Sequence, residues 1–273
     1  EHARQAAAVY SGDTLRSVTR IDGMANTSRG DASVIHSTHI LVNQRDERVF
    51  SLKKRSYYDP LPVLSNATAD PVSDDRSQFF NGATTSLIDH YSEVNSFPPA
   101  QTNRLTPGAL ILHPMVRPLG WSENLALSTI YRNTHPVHWD SNHYGRDGIV
   151  VCGGFVQSLV FAAADRELRQ ILDDTLVHSS HINTVTPEDG LGAISVIIES
   201  EEISEKLERI TVKTLGLKNV DVGEELPGVD IPAELLSLEQ LRPSEIESIC
   251  RERCPVLAGR IAMQATRSLL RPI

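Results

Sequence analysis

The chain has 273 residues, enough for one large domain or two small ones with a sizeable buried core. Although 40% of residues are hydrophobic, charges such as Arg20, Asp22, Arg45 and Asp46 interrupt every apolar stretch. No run reaches the ~20 apolar residues of a spanning helix, and 35 acids against 26 bases leave a net charge of -9 that disfavours non-specific contact with nucleic acid or an anionic lipid surface.

The chain begins at Glu1 without a basic-then-apolar leader pattern and reads as though it starts inside a structural unit. Residues 3–59 are strand-like: Ala6–Tyr10, Thr14–Ile21, Ser33–Val42 and Val49–Tyr58 are rich in β-branched residues, with Gly12-Asp13 and Asn43–Glu47 as turns. Residues 60–106 are rich in Pro, Ser, Asn, Asp and Thr and read as a linker, with a short element at Thr85–Val94.

Order returns with a strand at Ala109–Val116 and a helix for which Ser122 is the expected N-cap. Gly148–Gly154 then leads into a long helix over Phe155–Leu172, where Val156, Leu159, Val160, Ala163, Leu168 and Ile171 make one apolar face. Three strands follow at Val177–Val185, Leu191–Glu202 and Leu207–Leu217. Val9–Leu15 and Val185–Leu191 open their strands in a similar order, which suggests a duplicated unit: a long helix wrapped by an antiparallel sheet, hence an α+β protein. The last residues, 221–273, read as a loop and a helical tail, with one helix begun by Ser244–Glu247 and a second begun or kinked by Pro255.

Three cysteines are too few and odd in number for a disulfide framework, which favours a reducing, cytoplasmic setting. Cys250 and Cys254 lie four apart on one helical face and read as packing residues.

Chemistry concentrates in Tyr131–Tyr144, where three of the ten histidines fall close together. His135, His138 and Asp140 are ligand types, but their spacing is unspecific and Pro136 breaks any regular helix, so no metal site is expected. Cys152 precedes Gly153-Gly154 at a helix start, where a thiolate would be stabilised, yet no Gly-x-Ser-x-Gly elbow exists and Cys152 reads as inert. Proton chemistry remains. His138 is of the residue type that exchanges protons, the Asn133 amide can hold a water, and Gly153 and Gly154 let a substrate oxygen approach backbone N–H groups. Together these supply the parts needed to add water across a double bond conjugated to a carbonyl.

Those residues carry a resemblance. The order strand, helix, Asn133-Thr134-His135-Pro136-Val137-His138, Gly148-Ile149-Val150-Val151-Cys152-Gly153, long helix and three strands is similar to the MaoC-type hot-dog enoyl-CoA hydratases. Their motif reads Asp-x-Asn-Pro-(Ile/Leu)-His, followed by an Ile-Val-His-Gly stretch that opens the central helix. His138 stands at the motif's His, Pro136 at its Pro, Val137 at its aliphatic residue and Gly153 at the helix-start Gly, while Asn133 replaces its Asp and His135 its Asn. An amide cannot take a proton from water, so the resemblance implies His138 as sole strong acid/base, Asn133 as water holder and Gly153 as oxyanion donor.

The Asn-Thr-His-Pro-Val-His form resembles the branch containing mesaconyl-CoA hydratase and β-methylmalyl-CoA dehydratase, double hot dogs acting on branched dicarboxylic CoA thioesters. The implied architecture is a double hot dog with an incomplete first unit: later strands of a degenerate hot dog at 1–59, a linker at 60–106, a catalytic hot dog at 107–220 and a tail at 221–273. Implied too are a CoA thioester as substrate with no resident cofactor, and pairing into a homodimer or larger homo-oligomer. Arg132 either pairs with a substrate carboxylate or faces solvent. Trp139, Tyr144 and Phe155 line an acyl tunnel beside Gly154, or pack as ordinary core. Asp140 either orients His138 or caps the next turn, His135 makes a structural hydrogen bond, and His113, His178 and His181 are strand residues without a stated role. The rival functions are a thioesterase and a non-catalytic acyl-CoA-binding or structural protein.

Overall fold

A computed structural model describes residues 2–58, 88–89, 91–93, 105–133 and 135–273. The expected linker therefore lies almost wholly outside the described residues, as does Thr134 of the histidine segment. The chain divides into two units, Glu1–Ala100 with Asp173–His178, and Gln101–Leu172 with Ser179–Ile273.

The first unit is an antiparallel sheet. Its strands are β1 (His2–Gln5), β2 (Arg16–Asn26), β3 (Ser33–Val42), β4 (Arg48–Tyr58) and the Asp173–His178 part of β6 (Asp173–His181), in the order β2-β3-β4-β1-β6. The β3–β4 turn forms because the Asn43 side-chain oxygen accepts from the N–H groups of Arg45 and Glu47, so a polar side chain stands in for a backbone partner. β1 begins earlier than the sequence predicts. His2–Gln5 pairs with Phe50–Lys53, whereas Ala6 and Ala7 both donate to the single carbonyl of Val49 and leave the ladder.

The second unit orders its strands β9-β8-β7-β5, from β5 (Leu110–Pro118), β7 (Gly190–Ser204), β8 (Leu207–Lys218) and β9 (Ile261–Pro272). Its helices are α1 (Trp121–Ile130), α2 (Ser141–Tyr144), α3 (Gly153–Leu168), α4 (Val222–Glu225) and α5 (Pro243–Arg253). Helix α3 buries Phe155, Val156, Leu159, Val160, Ala163, Ala164 and Leu168, the larger of them contributing roughly 1.5–3 kcal/mol each by leaving water. It stops at Leu168 because Arg169 and Gln170 take left-handed φ angles of 40° and 50°, short of the predicted Leu172. Gly216 lets the helix sit close, since a methyl there would meet Val160 Cγ2 at 2.6 Å. N-capping of α1 falls to Gly120, one residue before the helix, so the predicted capping role of Ser122 is corrected.

Polar groups also brace α3 to the sheet. His113 Nδ1 lies 2.7 Å from Glu167 Oε2, His113 Nε2 lies 2.9 Å from Ser195 Oγ, and Ser195 Oγ lies 2.9 Å from Thr214 Oγ1. An ionised carboxylate only accepts, so Nδ1 carries the proton, Nε2 accepts from Ser195 and Ser195 accepts from Thr214. Burial pushes the His113 pKa below its ordinary value against the pull of Glu167, which keeps the ring neutral in this chain of bonds. The order Glu, His, Ser is that of a nucleophile relay. With His113, Ser195 and Thr214 all fully buried, it reaches no substrate and works as a cross-brace. On β9, Arg267 donates to Asp165 Oδ1 at 2.8 Å and stacks on Phe161.

The largest departure from the sequence expectation is the C-terminal tail. Residues 261–272 are a strand, with only a short 3-10 turn at Pro255–Leu257 where a second helix is predicted. Ala, Met, Gln and Leu favour a helix locally, but both faces of β9 are covered, so its apolar residues fall on both parities and no alternation marks it. The residues before it cap the sheet face opposite α3: Leu215 and Leu217 pack with Val222, Leu226, Leu235, Ile246, Cys250 and Leu257. Cys250 and Cys254 are free and buried there, and burial pushes the Cys250 thiol up to about 12, which makes it unreactive.

Lys213 is buried on the capped face and donates to Gln264 Oε1 at 2.8 Å and to the Glu239 carbonyl at 3.3 Å. Burial lowers its pKa from 10.5 to about 8. Between those two values the unfolded chain holds more protons than the folded one, so stability rises with pH across that window and the cost of the buried charge is fully present below it. Melting temperatures of wild type and Lys213→Met, compared from pH 7 to pH 10, are expected to shift in favour of wild type as pH rises. A difference that stays flat would show that Lys213 keeps its ordinary proton affinity.

Candidate active site

The site grows from the end of α1. The Asn133 N–H donates to the Ser128 carbonyl at 2.9 Å, and Arg132 turns the chain with a φ of 51°. His135 then accepts from the Val137 N–H through Nδ1, and Pro136 supplies the preset φ at the start of the 3-10 turn Pro136–His138. This turn is tied to the approach of α3 twice, by Val150 N–H donating to the Val137 carbonyl at 3.0 Å and by His138 Nδ1 donating to the Val150 carbonyl at 2.7 Å. From the other side Asn124 Nδ2 of α1 donates to the His138 carbonyl at 2.8 Å. Because the Val150 carbonyl can only accept, Nδ1 carries hydrogen and Nε2 of neutral His138 presents its lone pair. That is the state a general base needs.

Val150 leads within three residues to Gly153, the first residue of α3, with Cys152 as its N-cap. The Phe155 and Val156 N–H groups bond the Cys152 carbonyl, and those of Gly153 and Gly154 have no partner among the described residues at the positive end of a sixteen-residue helix. Gly154 has nothing within 4 Å of where a side chain would start, whereas a Cβ on Gly153 would meet His181 Nε2 at 2.6 Å. The imidazole of His181, the last residue of β6, lies against this glycine. His138 is therefore bonded to the Val150–Gly153 stretch and His181 lies against its last residue.

The other candidates make local contacts. Asn133 points its side-chain oxygen at the His135 N–H, 3.2 Å away. Asp140 accepts from the N–H groups of Asn142 and His143 and caps α2, so of its two predicted roles the cap is the one built. Arg132 is exposed, Trp139 is 43% exposed and Tyr144 is 37% exposed with its ring against His143. Phe155 is buried and meets the Tyr131 ring at 5.0 Å. Cys152 is partly exposed.

Sequence reasoning passed over three residues. His181 lay in a strand with no role, although a strand returning from the end of α3 brings its last residue back to the helix start. Asn124 and Ser128 lie one turn apart on the buried face of α1, and Asn124 Oδ1 and Ser128 Oγ are buried with no hydrogen-bond partner among the described residues. Nothing local marks these two as different from surface polar residues. Among the described residues no group of three His, Cys, Asp or Glu side chains is placed to hold a metal ion, and no helix is long and apolar enough to cross a membrane.

A long helix laid on an antiparallel sheet, preceded by a second set of strands, defines the double hot-dog class, and the chain has that fold. Among solved structures, one from Chloroflexus aurantiacus J-10-fl, provisionally named a MaoC domain protein dehydratase, is similar with a TM-score of 0.67 at 20% identity, over 99% of this chain and 73% of that one. A conserved hypothetical protein from Mycobacterium tuberculosis, described as having a double hotdog fold, is similar with a TM-score of 0.59 at 17% identity, over 98% and 73% of the two chains. A protein described as a MaoC-like dehydratase is similar with a TM-score of 0.53 at 10% identity, again over 98% and 73%. At these identities the likeness is one of fold. No protein-family model and no curated protein matches the chain.

Proposed function

We propose that the protein is a hydro-lyase that adds water to, or removes it from, a 2-enoyl thioester of coenzyme A. The observation that carries this is His138: its Nδ1 is committed to the Val150 carbonyl, which leaves Nε2 as the nitrogen with a free lone pair and ties the residue to the stretch that runs into Gly153 at the start of α3. The dehydratase names of the fold neighbours support the same reading.

In the hydration direction His138 Nε2 takes a proton from water as the oxygen bonds to the β-carbon. The electron pair of the double bond moves onto the thioester oxygen, which accepts from the Gly153 N–H and from that of Gly154. Removing one such donor in other enzymes costs about 3–4 kcal/mol. A proton then adds at the α-carbon and the carbonyl re-forms. Asn133 holds the water through its amide, and the reverse reaction uses the same groups. The step as written calls on no metal or resident cofactor. Arg132, exposed one residue before Asn133, suits a second carboxylate on the acyl group, so a branched dicarboxylic thioester such as mesaconyl-CoA is the proposed substrate, and the working form is proposed to be a cytoplasmic homo-oligomer. Trp139, Tyr144 and Phe155 are proposed to flank the acyl chain.

The test is one panel of crotonyl, mesaconyl and β-methylmalyl thioesters, following enoyl absorbance and free CoA together. Loss or gain of enoyl absorbance without CoA release supports the proposal. CoA release favours a thioesterase, and binding with no turnover of any thioester favours a non-catalytic acyl-CoA protein.

A further inference from the structure

Adding water to a conjugated double bond moves two protons: one leaves the water and one arrives at the α-carbon. A single imidazole performs both only by turning from base to acid between two positions on the substrate. The amide at Asn133 carries no titratable proton, and its oxygen is already turned to the His135 N–H at 3.2 Å. The site as predicted from sequence therefore holds one proton-transfer group for a reaction that moves two protons.

The fold brings a second imidazole to the glycine that opens α3. His181 ends β6, and the 16-residue helix α3 and the strand returning after it set that end beside the helix start. The contact is close: Nε2, Cδ2 and Cε1 of His181 lie 2.6, 3.1 and 3.1 Å from where a Cβ of residue 153 would stand. Any side chain at 153 would displace the ring, so the glycine does two things. It leaves the backbone N–H open to a substrate oxygen, and it admits the edge of an imidazole into the space a side chain would fill. His138, bonded to Val150, and His181, packed against Gly153, thus meet one four-residue run from two different elements.

We infer that His181 is the second proton-transfer residue of the site, acting at the α-carbon while His138 acts on water; the inference rests on the hydro-lyase reading above. In hydration the water O–H bond breaks to His138 Nε2, the oxygen bonds the β-carbon, and the charge gathers on the thioester oxygen at the α3 N–H groups. Protonated His181 then gives its proton to the α-carbon as the carbonyl re-forms. The cycle leaves His138 protonated and His181 neutral, and exchange with solvent, to which His181 is exposed, restores both.

His181→Gln keeps a hydrogen-bonding amide and removes the titrating group. It is expected to lower kcat by about 100-fold or more, the usual worth of a placed acid or base, with KM within about twofold and the melting temperature unchanged. The bell-shaped pH profile of kcat should become one-sided, because only the base of the pair is left to titrate. Asn133→Asp added to His181→Gln restores a titratable group beside the water and is expected to recover at least about tenfold of the lost kcat. His181→Asn, a smaller amide, serves in the same way should the Gln variant misfold. Wild-type turnover with unchanged kcat and pH profile in the His181 variants overturns this inference alone. So does a loss that is the same at every pH and is not recovered by Asn133→Asp, since a purely structural role would give that. Absence of hydration by wild type across the thioester panel overturns the hydro-lyase reading and this inference with it.

Discussion

Replacing His138 by Asn is expected to lower turnover of a 2-enoyl thioester by about 10²–10⁴-fold while the protein stays folded. The choice of Asn separates the two nitrogens of the ring. An Asn amide N–H can take over the donation to the Val150 carbonyl that His138 Nδ1 makes at 2.7 Å, so the 3-10 turn stays tied to the approach of α3. What is lost is Nε2, the atom proposed to take the proton. His138→Ala removes both nitrogens, and the missing hydrogen bond in a partly buried turn adds a stability loss of about 1 kcal/mol. The two variants should thus be equally inactive and differ in melting temperature. Full residual turnover in either, measured as the change in enoyl absorbance, would remove His138 from the chemistry.

Much of this site could be read from the chain, because its parts are local. Pro136 sets the turn, His138 follows two residues later, and the Gly153-Gly154 pair opens an apolar-faced helix whose buried positions fall at the predicted spacing. The strands β5, β7 and β8 are legible for the same reason, as apolar runs between turn residues. What the chain does not show is set by distant partners. His181 is an ordinary strand residue until β6 returns it to Gly153, and Asp140 has two local uses that only its bonds to Asn142 and His143 decide. β9 is the extreme case. Its residues have helical propensity and no alternation, and they form a strand because β8 offers a full ladder of partners from Leu207 to Leu217.

That ladder contains the largest expected stability effect. Glu208 and Arg271 stand opposite each other in the β8–β9 register, and each side chain is 1% exposed. Arg271 Nε lies 3.3 Å from Glu208 Oε1 but makes no hydrogen bond to it, and Arg271 Nη1 is also buried without a partner among the described residues. Glu208 Oε2 accepts from Ser200 Oγ at 3.0 Å. Burial pulls the Arg271 pKa down and the Glu208 charge opposes that, so this carboxylate is the counter-charge of a guanidinium that stays ionised inside the protein. Glu208→Gln leaves the cation buried and uncompensated, which typically costs about 3–5 kcal/mol. In a unit of this size each kcal/mol lowers the melting temperature by about 2–4 °C, so a fall of roughly 6–20 °C is expected. The double replacement Glu208→Leu with Arg271→Met removes both charges and fills the space with apolar atoms, and it should recover most of that loss or exceed wild type. The pair is loosely bonded, which favours recovery: little hydrogen bonding is given up when both partners go. Melting curves of the two single variants and the double one measure the coupling. A single variant that melts within about 2 °C of wild type would mean that water or another group already solvates the arginine, and a double variant as unstable as the singles would mean that shape and not charge holds these two strands together.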